Sequence, residues 1–453
     1  MKPNLFGTDG IRAGSGAYPL DDPSLVRLGA VIGSLSPSPR ILIARDTRES
    51  GPTIEAQLCR GLGRGARVFS AGVLPTPGLA FLTRELGFDF GIMVSASHNP
   101  FSDNGIKLFN RGGEKISARL ENTISAGFYA MTRTPARRPR PAAALAAGAY
   151  ADFLLGEGQD LAAAAGTSAG ATRLAVDCAN GAASRLAPAL FKRLGLDVIA
   201  AHARPDGRNI NSGCGSTHPA ALQKLVEKKL AGPESPRHGG LGMAFDGDAD
   251  RVIFCDAAGN ILEGDHALFL IACFLRQTEP RFNRVVVGTV MGNLGLERAL
   301  KKAGIVFLRA AVGDKHVYRL MKRSGAILGG EPSGHVILRH RQTSGDGLLT
   351  SLYVLKALRH FGLDAAALRD QLALFPQRTL NLRVRRKPDL RRWPAFRQAA
   401  DRFACRYGRR ARLLARYSGT EPKIRIMIEA RDLETIELNL PIFQSLVENE
   451  IGE

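Results

Sequence analysis

Val94-Ser95-Ala96-Ser97-His98-Asn99-Pro100 follows the apolar run Phe88–Val94 and ends on a proline suited to open a helix. An apolar strand, a Ser/Asn turn and a helix start make a βα unit, which predicts an α/β fold with Ser97 on the turn. A helix N-terminus offers backbone N–H groups and the positive end of its dipole, so a hydroxyl there is placed to carry a phosphate. Read alone, the heptapeptide favours an ordinary Ser/Asn turn with a capping serine, and it is the other clusters that change this reading. Its continuation, Phe101-Ser102-Asp103-Asn104-Gly105-Ile106-Lys107, sets Lys107 a few residues past the expected helix start, in reach of the Ser97 oxygen as charge stabiliser or proton shuttle.

Outward from this stretch, other clusters add chemistry. Phe6-Gly7-Thr8-Asp9-Gly10-Ile11-Arg12 is a glycine-flanked loop ending in a planar cation whose fork matches phosphate oxygens. Ala244-Phe245-Asp246-Gly247-Asp248-Ala249-Asp250-Arg251 places three carboxylates at alternate positions, where they repel one another unless a cation is bound. An EF-hand requires Gly at the sixth loop position and Glu at the twelfth; this chain has Arg251 and Ala257 there. An aspartyl-nucleophile phosphatase, with Asp-x-Asp after a strand, also fits this loop but leaves the Ser97 turn without a role. Downstream, Gly329-Gly330-Glu331-Pro332-Ser333-Gly334-His335 offers a carboxylate, a hydroxyl and an imidazole suited to sugar hydroxyls. Arg416-Tyr417-Ser418-Gly419-Thr420-Glu421-Pro422-Lys423-Ile424-Arg425 offers two arginines and two hydroxyls around a glycine turn, suited to a second phosphate.

The chain is 453 residues long, which predicts two to four domains. No run of about 18 apolar residues exists to span a bilayer, and Met1–Gly7 has no apolar signal core, so a cytoplasmic location is expected. Cys59, Cys178, Cys214, Cys255, Cys273 and Cys405 form no C-x-x-C pair, which argues for small core residues over a disulfide framework or zinc cage. The net charge of +20 is concentrated at Arg133–Arg140 and Arg383–Arg392. Aromatic residues are only 6% of the chain and do not interleave with these clusters, so a solvated arginine-rich surface is expected and a nucleic-acid groove is not.

Periodicity predicts strands at 40–44, 66–71, 173–178, 197–201, 284–288 and 304–309, alternating with helices at 52–63, 75–85, 184–194, 220–229, 265–276, 294–302 and 315–322. A linker is expected at 133–141, a helix at 142–153 and a surface loop at 156–171. After Leu363 the pattern changes to a smaller α+β domain with strands at 379–384 and 424–429.

Together the clusters supply a phosphorylatable serine, a metal to polarise its phosphoryl group, a polyol grip and a separate phosphate grip. An enzyme that moves phosphate between two ends of one sugar needs this set. With these residues in this order, the chain resembles the α-D-phosphohexomutase superfamily. The resemblance runs through Phe6–Arg12, Ala44–Gly51, Ser95–Lys107, Val176–Gly181, Asn209–Gly215, Asp246–Arg251, Val312–Lys315, Gly329–His335, Gly345–Leu348 and Arg416–Arg425. Asp103–Lys107 and Asn209–Asn211 are similar to its glucosamine branch, while Pro332 departs from the polar residue expected between Glu331 and Ser333 and removes a backbone N–H beside the sugar.

The resemblance implies a four-domain, heart-shaped α/β protein: three related α/β domains (1–141 with the phosphoserine loop, 142–256 with the metal loop, 257–366 with the sugar loop) and a C-terminal α+β domain (367–453 with the phosphate loop), all lining one cleft. It implies a covalent phosphate on Ser97 and one Mg²⁺ held by Asp246, Asp248, Asp250 and that phosphate. Arg12, His98, Lys107 and Arg251 would surround the transferring group, and Lys107 with Asp314 or His335 would move protons. Glu331, Ser333 and His335 would bind the sugar, and Arg416, Ser418, Gly419, Thr420 and Arg425 its distal phosphate. The implied activity is an isomerase interconverting glucosamine 6-phosphate and glucosamine 1-phosphate through a 1,6-bisphosphate, in amino-sugar nucleotide supply for the cell wall. A monomer or homodimer, primed by a kinase or by a bisphosphate sugar, is expected. The alternatives are a relative acting on glucose or mannose phosphates and a non-catalytic phosphate- or nucleic-acid-binding protein on the same fold.

Overall fold

The computed structural model describes residues 4–63, 65–131, 142–145, 148–162, 173–230, 240–418 and 421–453. They form two compact units, one of residues 1–292 and 300–371, the other of residues 293–299 and 372–453.

Apolar runs become the buried parallel strands of three sheets in the larger unit. The first holds β1 (Ile11–Gly14), β2 (Arg40–Arg45), β3 (Arg67–Val73), β4 (Phe90–Val94), β5 (Asp103–Asn110) and β6 (Ala143–Ala144), in the order β1-β5-β4-β2-β3-β6. In β2 and β4, Ile41 to Ala44 and Ile92 to Val94 are fully buried, as expected of parallel strands covered on both faces. Helices Asp22–Gly33 and Gly51–Leu62 cover the sheet and meet at Gly29 and Gly61, where a Cβ would come within 2.4 Å of Leu58 O and 2.0 Å of Val26 O. Only a residue without a side chain permits that approach.

The second sheet holds β7 (Arg173–Asp177), β8 (Asp197–Ala201), β9 (Leu241–Phe245), β10 (Val252–Cys255) and β11 (Ile261–Leu262), in the order β11-β10-β9-β7-β8. The third holds β12 (Val285–Thr289), β13 (Val306–Ala310), β14 (Leu328–Gly330) and β15 (Val336–Leu338), in the order β13-β12-β14-β15. All three sheets share one device. A parallel strand runs into a loop and the chain returns antiparallel: β4 to β5 with Val94 opposite Ile106, β9 to β10 with Phe245 opposite Val252, and β14 to β15 with Gly330 opposite Val336. The three loops are the Ser97, Asp246–Arg251 and Glu331–His335 stretches. Each therefore lies at the carboxyl end of a parallel strand, the usual place for ligands in open α/β sheets.

The smaller unit holds β16 (Gln377–Arg383), β17 (Ala411–Tyr417) and β18 (Lys423–Ala430), antiparallel in the order β16-β18-β17. Ile424, Ile426 and Ile428 alternate onto one face and pack with Phe396, Phe403 and Phe443 from helices Pro394–Tyr407 and Leu433–Glu450. This is the expected α+β domain.

Some expectations need correction. No helix follows Pro100: Asn99 N donates to Ala96 O (3.2 Å), Asp103 N donates to Pro100 O (3.1 Å), and the chain enters β5. The reason is tertiary. The Arg48 side chain occupies the carbonyls of Ser97, Asn99, Pro100 and Asp103, the first acceptors a helix would need, and β1 and β4 flank β5 on both sides. Lys107 is thus a strand residue. Ala143 and Ala144 pair with β3 as β6, past the expected boundary at 141, and the following helix begins at Gly148. Helices Gly148–Glu157 and Gln159–Ala162 occupy the start of the expected loop 156–171. The rest of that loop and the linker 133–141 lie outside the described residues. Four cysteines are buried as expected, but Cys273 is partly exposed and Cys405 exposed; all six are free. No helix is long and apolar enough to cross a membrane among the described residues.

Candidate active site

Ser97 is fully buried and adopts φ +53°, a left-handed conformation that non-glycine residues seldom take. Its Oγ donates to Asp246 Oδ2 at 2.6 Å and lies 3.4 Å from both Arg251 Nη2 and His98 Nδ1. The turn thus aims the hydroxyl at the metal loop instead of capping a helix. Arg12, on β1, braces the same loop by donating to Ala96 O (2.8 Å) and Asn99 Oδ1 (3.3 Å) while paired to Asp9 (2.7 Å).

The carboxylates of Asp246, Asp248 and Asp250 are buried and their ligand atoms lie within 4.8 Å of one another. Asp248 Oδ1 and Asp250 Oδ1 accept no hydrogen bond from the described residues. Buried anionic oxygens without donors are costly, and hard oxygen ligands at this spacing suit a divalent cation such as Mg²⁺. Burial, then repulsion from Asp250 and Asp248, pushes the Asp246 carboxyl up to about 7. Lys107 Nζ reaches Asp248 Oδ2 (2.8 Å), Asp250 Oδ2 (3.2 Å) and Asp9 Oδ2 (3.3 Å). Burial works against its charge, but the carboxylates of Asp248, Asp250 and Asp9 outweigh it and hold the ammonium well above the usual lysine range. Lys107 is therefore a fixed cation.

Arg251 Nη2 donates to His98 Nδ1 at 2.8 Å. Burial and the charges of Arg251 and Arg12 depress the His98 pKa to about 4, leaving the ring neutral at physiological pH. His335 is buried between Asp250 (Nδ1 to Oδ1, 3.6 Å) and Asp314 (Nε2 to Oδ2, 3.8 Å). Gly345 N donates to its Nε2 at 3.1 Å, which assigns the proton to Nδ1. Gly345 carries no Cβ because one would stand 2.5 Å from the ring. Asp314 is engaged by Lys115, which also binds Asp9. Glu331 Oε1 accepts from Gly313 N (3.0 Å), whereas Ser333 is exposed. Pro332 occupies the second position of a turn closed by Gly334 N to Glu331 O (3.1 Å), a place where proline's fixed φ is favourable.

In the smaller unit Arg416 and Arg425 are direct cross-strand partners, so two guanidinium groups share one face. Arg425 Nε is buried without an acceptor among the described residues. Ser418 follows β17; its Oγ accepts from Glu421 N at 3.3 Å and its carbonyl from Lys387 Nζ at 2.8 Å. Gly419 and Thr420 lie outside the described residues.

The larger unit thus gathers Ser97, His98, Arg12, Lys107, Asp246, Asp248, Asp250, Arg251, Asp314 and His335 into one network. Sequence reasoning gave no role to Asp9, Arg48, Lys115 or Asn211. The available signal was position: Arg48 and Asn211 lie within Ala44–Gly51 and Asn209–Gly215, which carried the resemblance without an assigned chemistry.

Models of phosphoglucomutase/phosphomannomutase α/β/α domains I, II and III match residues 3–134, 149–259 and 263–375, and that of the C-terminal domain matches residues 380–438. The chain is 41% identical over 462 residues to a phosphoglucosamine mutase of Solibacter usitatus, with 100% of both chains covered. It is 44% identical over 433 residues to one of Thermus thermophilus, with 94% of both covered. Among solved structures, a phosphoglucomutase/phosphomannomutase family protein from Burkholderia thailandensis matches with a TM-score of 0.79 at 24% identity, covering 99% of each chain. With four domain models in order and this identity along the whole length, the chain belongs to the phosphoglucomutase/phosphomannomutase family and groups with its phosphoglucosamine mutases.

Proposed function

We propose that this isomerase interconverts glucosamine 6-phosphate and glucosamine 1-phosphate by passing a phosphoryl group through Ser97. The observation that carries the reading is the buried Ser97 Oγ, 2.6 Å from Asp246 Oδ2 in a carboxylate triad with unpartnered oxygens, with Arg251 alongside. In the first half-reaction the free sugar hydroxyl attacks the phosphorus of phospho-Ser97. The new O–P bond to the sugar forms as the O–P bond to Ser97 breaks; the proton of the sugar hydroxyl passes to His335 or Asp314, Ser97 Oγ takes up one proton in its place, and glucosamine 1,6-bisphosphate and free Ser97 result. The bisphosphate reorients and Ser97 Oγ attacks the other phosphate, restoring the phosphoenzyme and releasing the isomer.

Asp246, Asp248 and Asp250, with the Ser97 phosphate, would hold Mg²⁺, which when bound draws charge from the phosphoryl oxygens. The fixed ammonium of Lys107 and the guanidinium of Arg251 neutralise charge on the group in flight. Arg12 and the neutral His98 hold the loop and the arginine in place. Glu331 and Ser333 contact the sugar hydroxyls, with His335 buried behind them. Arg416, Ser418 and Arg425, with Gly419 and Thr420, grip the phosphate not in transfer. Domain boundaries near 256 and 366, with the first domain ending after β6, a cytoplasmic location, and priming by a kinase or bisphosphate sugar complete the reading.

The test compares kcat/KM of Mg²⁺-loaded, Ser97-phosphorylated protein on glucosamine 1-phosphate and glucose 1-phosphate. A large preference for the amino sugar is expected, and supports Pro332 as compatible with it. Equal rates, or a preference for glucose, would move the chain to the hexose branch with the phosphoserine chemistry intact.

A further inference from the structure

Both peptide groups around Ser97 are held by side chains that never touch its hydroxyl. Ser97 O accepts from Arg48 Nη2 at 3.0 Å and from Asn211 Nδ2 at 2.9 Å. Two residues on, Asn99 O accepts from the same two groups, at 2.9 Å and 3.0 Å. Arg48 Nη1 takes Asp103 O at 3.0 Å, and Pro100 O as well. The Arg48 side chain is wholly buried and paired to Asp46 at 2.9 Å. Asp46 Oδ2 also accepts from Ser95 Oγ at 2.7 Å, and Ser95 Oγ in turn accepts from Ser97 N at 2.9 Å. A closed circuit therefore runs from Asp46 through Arg48 to the Ser97 carbonyl and through Ser95 to the Ser97 amide.

Asn211 reaches this circuit from the second sheet. It takes φ +58°, and its amide donates to Ala179 O at 2.9 Å. Asp177 anchors the segments on either side, its Oδ1 accepting from Ala179 N and its Oδ2 from Gly215 N, each at 2.9 Å. His202 Nδ1 also lies 3.0 Å from Asp177 Oδ1, and the Asp177 carboxylate latches the loop bearing Asn211. The metal loop closes against the same point. A Cβ on Gly247 would stand 2.5 Å from Ser97 O and 2.9 Å from Asn211 Nδ2.

We infer that Arg48 and Asn211 are positioning residues that hold Ser97 in its left-handed conformation, the one from which Oγ faces the metal loop. Without them the turn relaxes toward the ordinary right-handed or extended regions and the hydroxyl swings away from Asp246. Arg48 spends its buried charge on backbone carbonyls, a use that specifies one conformation. The inference rests on Ser97 being the phosphoryl carrier.

Asn211→Gly tests it most cleanly, because glycine accepts φ +58° without strain and removes only the side-chain donors. In the full-length, Mg²⁺-loaded protein this variant should lose kcat by roughly 10- to 100-fold, the scale of a displaced reacting group, with KM and Tm close to wild type. Asn211→Asp keeps the shape but faces a carboxylate to two carbonyl oxygens, so its kcat should fall further. Arg48→Lys, which retains charge but cannot span the carbonyls, should show the same split of kcat from KM. A purely structural role predicts a lowered Tm with kcat preserved below it. An Asn211→Gly enzyme within about twofold of wild-type kcat would overturn the inference. Ser97→Ala, assayed alongside with phosphate stoichiometry by mass spectrometry, separates the two readings: an active Ser97→Ala protein removes the carrier assignment itself, whereas an inactive one beside a normal Asn211→Gly removes only the clamp.

Discussion

Ser97 in the larger unit and Ser418 in the smaller one are both buried serines in hairpin loops, yet their hydroxyls are spent differently. Ser418 Oγ accepts a hydrogen bond from the backbone of its own turn, and cations surround it: Lys387 on its carbonyl, Arg416 and Arg425 paired across the strands. Ser97 has its backbone held by distant side chains and its Oγ turned to a carboxylate, with Asp9, Asp246, Asp248 and Asp250 close by. In the first region Arg416, Arg425, Lys387 and Lys423 outnumber the one carboxylate of the turn, Glu421, which pairs with Lys423 at 2.7 Å, and the surplus of positive charge is suited to receive a phosphate. The second holds more carboxylates than its lysine and arginines satisfy, and is suited to a cation and to a phosphoryl group in transit.

The comparison breaks most readily at Ser97. Ser97→Ala should abolish turnover, roughly 10³-fold or more, with the fold retained by circular dichroism; near-normal activity would leave the two serines equivalent. Next, Mg²⁺ should raise the Tm of the unaltered protein, and Asp248→Asn should remove that rise and cost on the order of 10²-fold in kcat. If Mg²⁺ still raised the melting temperature of that variant, the triad would not be the metal site. On the other side, Arg425→Ala should raise KM by about 10- to 100-fold with kcat little changed, the value of one charge-assisted bond to phosphate. A loss confined to kcat would transfer Arg425 from binding to chemistry.

Smaller effects sharpen the contrast. His98 is held near pKa 4 when folded, below its ordinary value of about 6.5, so between these limits the unfolded chain binds more protons. Stability should therefore fall as pH drops from about 6.5 to 4, by roughly 1–2 kcal/mol after allowance for partial exposure, and His98→Gln should flatten that slope in urea titrations. An unchanged slope would show that burial and the charges of Arg251 and Arg12 do not hold the ring neutral. The least effect belongs to Ser418→Ala: about 1 kcal/mol from the lost turn bond, with kcat within a few-fold of wild type. A loss comparable to Ser97→Ala would erase the distinction.

The order of the chemistry along the chain was legible without coordinates. Alternate aspartates after an apolar strand, a serine turn after another and two arginines about a Ser-Gly turn each state a charge or hydroxyl that needs a partner, and local spacing is enough to state it. The strands of the βα units follow for the same reason, since burial on both faces demands unbroken apolar runs. What failed was the helix after Pro100. Proline favours a helix start locally, but Arg48, some 50 residues upstream, takes the carbonyls that helix would use and β1 pairs with the segment instead. Lys107 likewise reads from the sequence as a partner of the Ser97 oxygen, whereas three carboxylates from two other loops close on it. The sequence by itself determined which groups the protein owns and the strands that carry them, because these depend on composition and short-range periodicity. Only the tertiary structure decided which carbonyl Arg48 and Asn211 hold, which way the Ser97 hydroxyl points and which oxygens are left without donors. Those depend on partners 49 to 149 residues apart, and nothing local encodes such a distance.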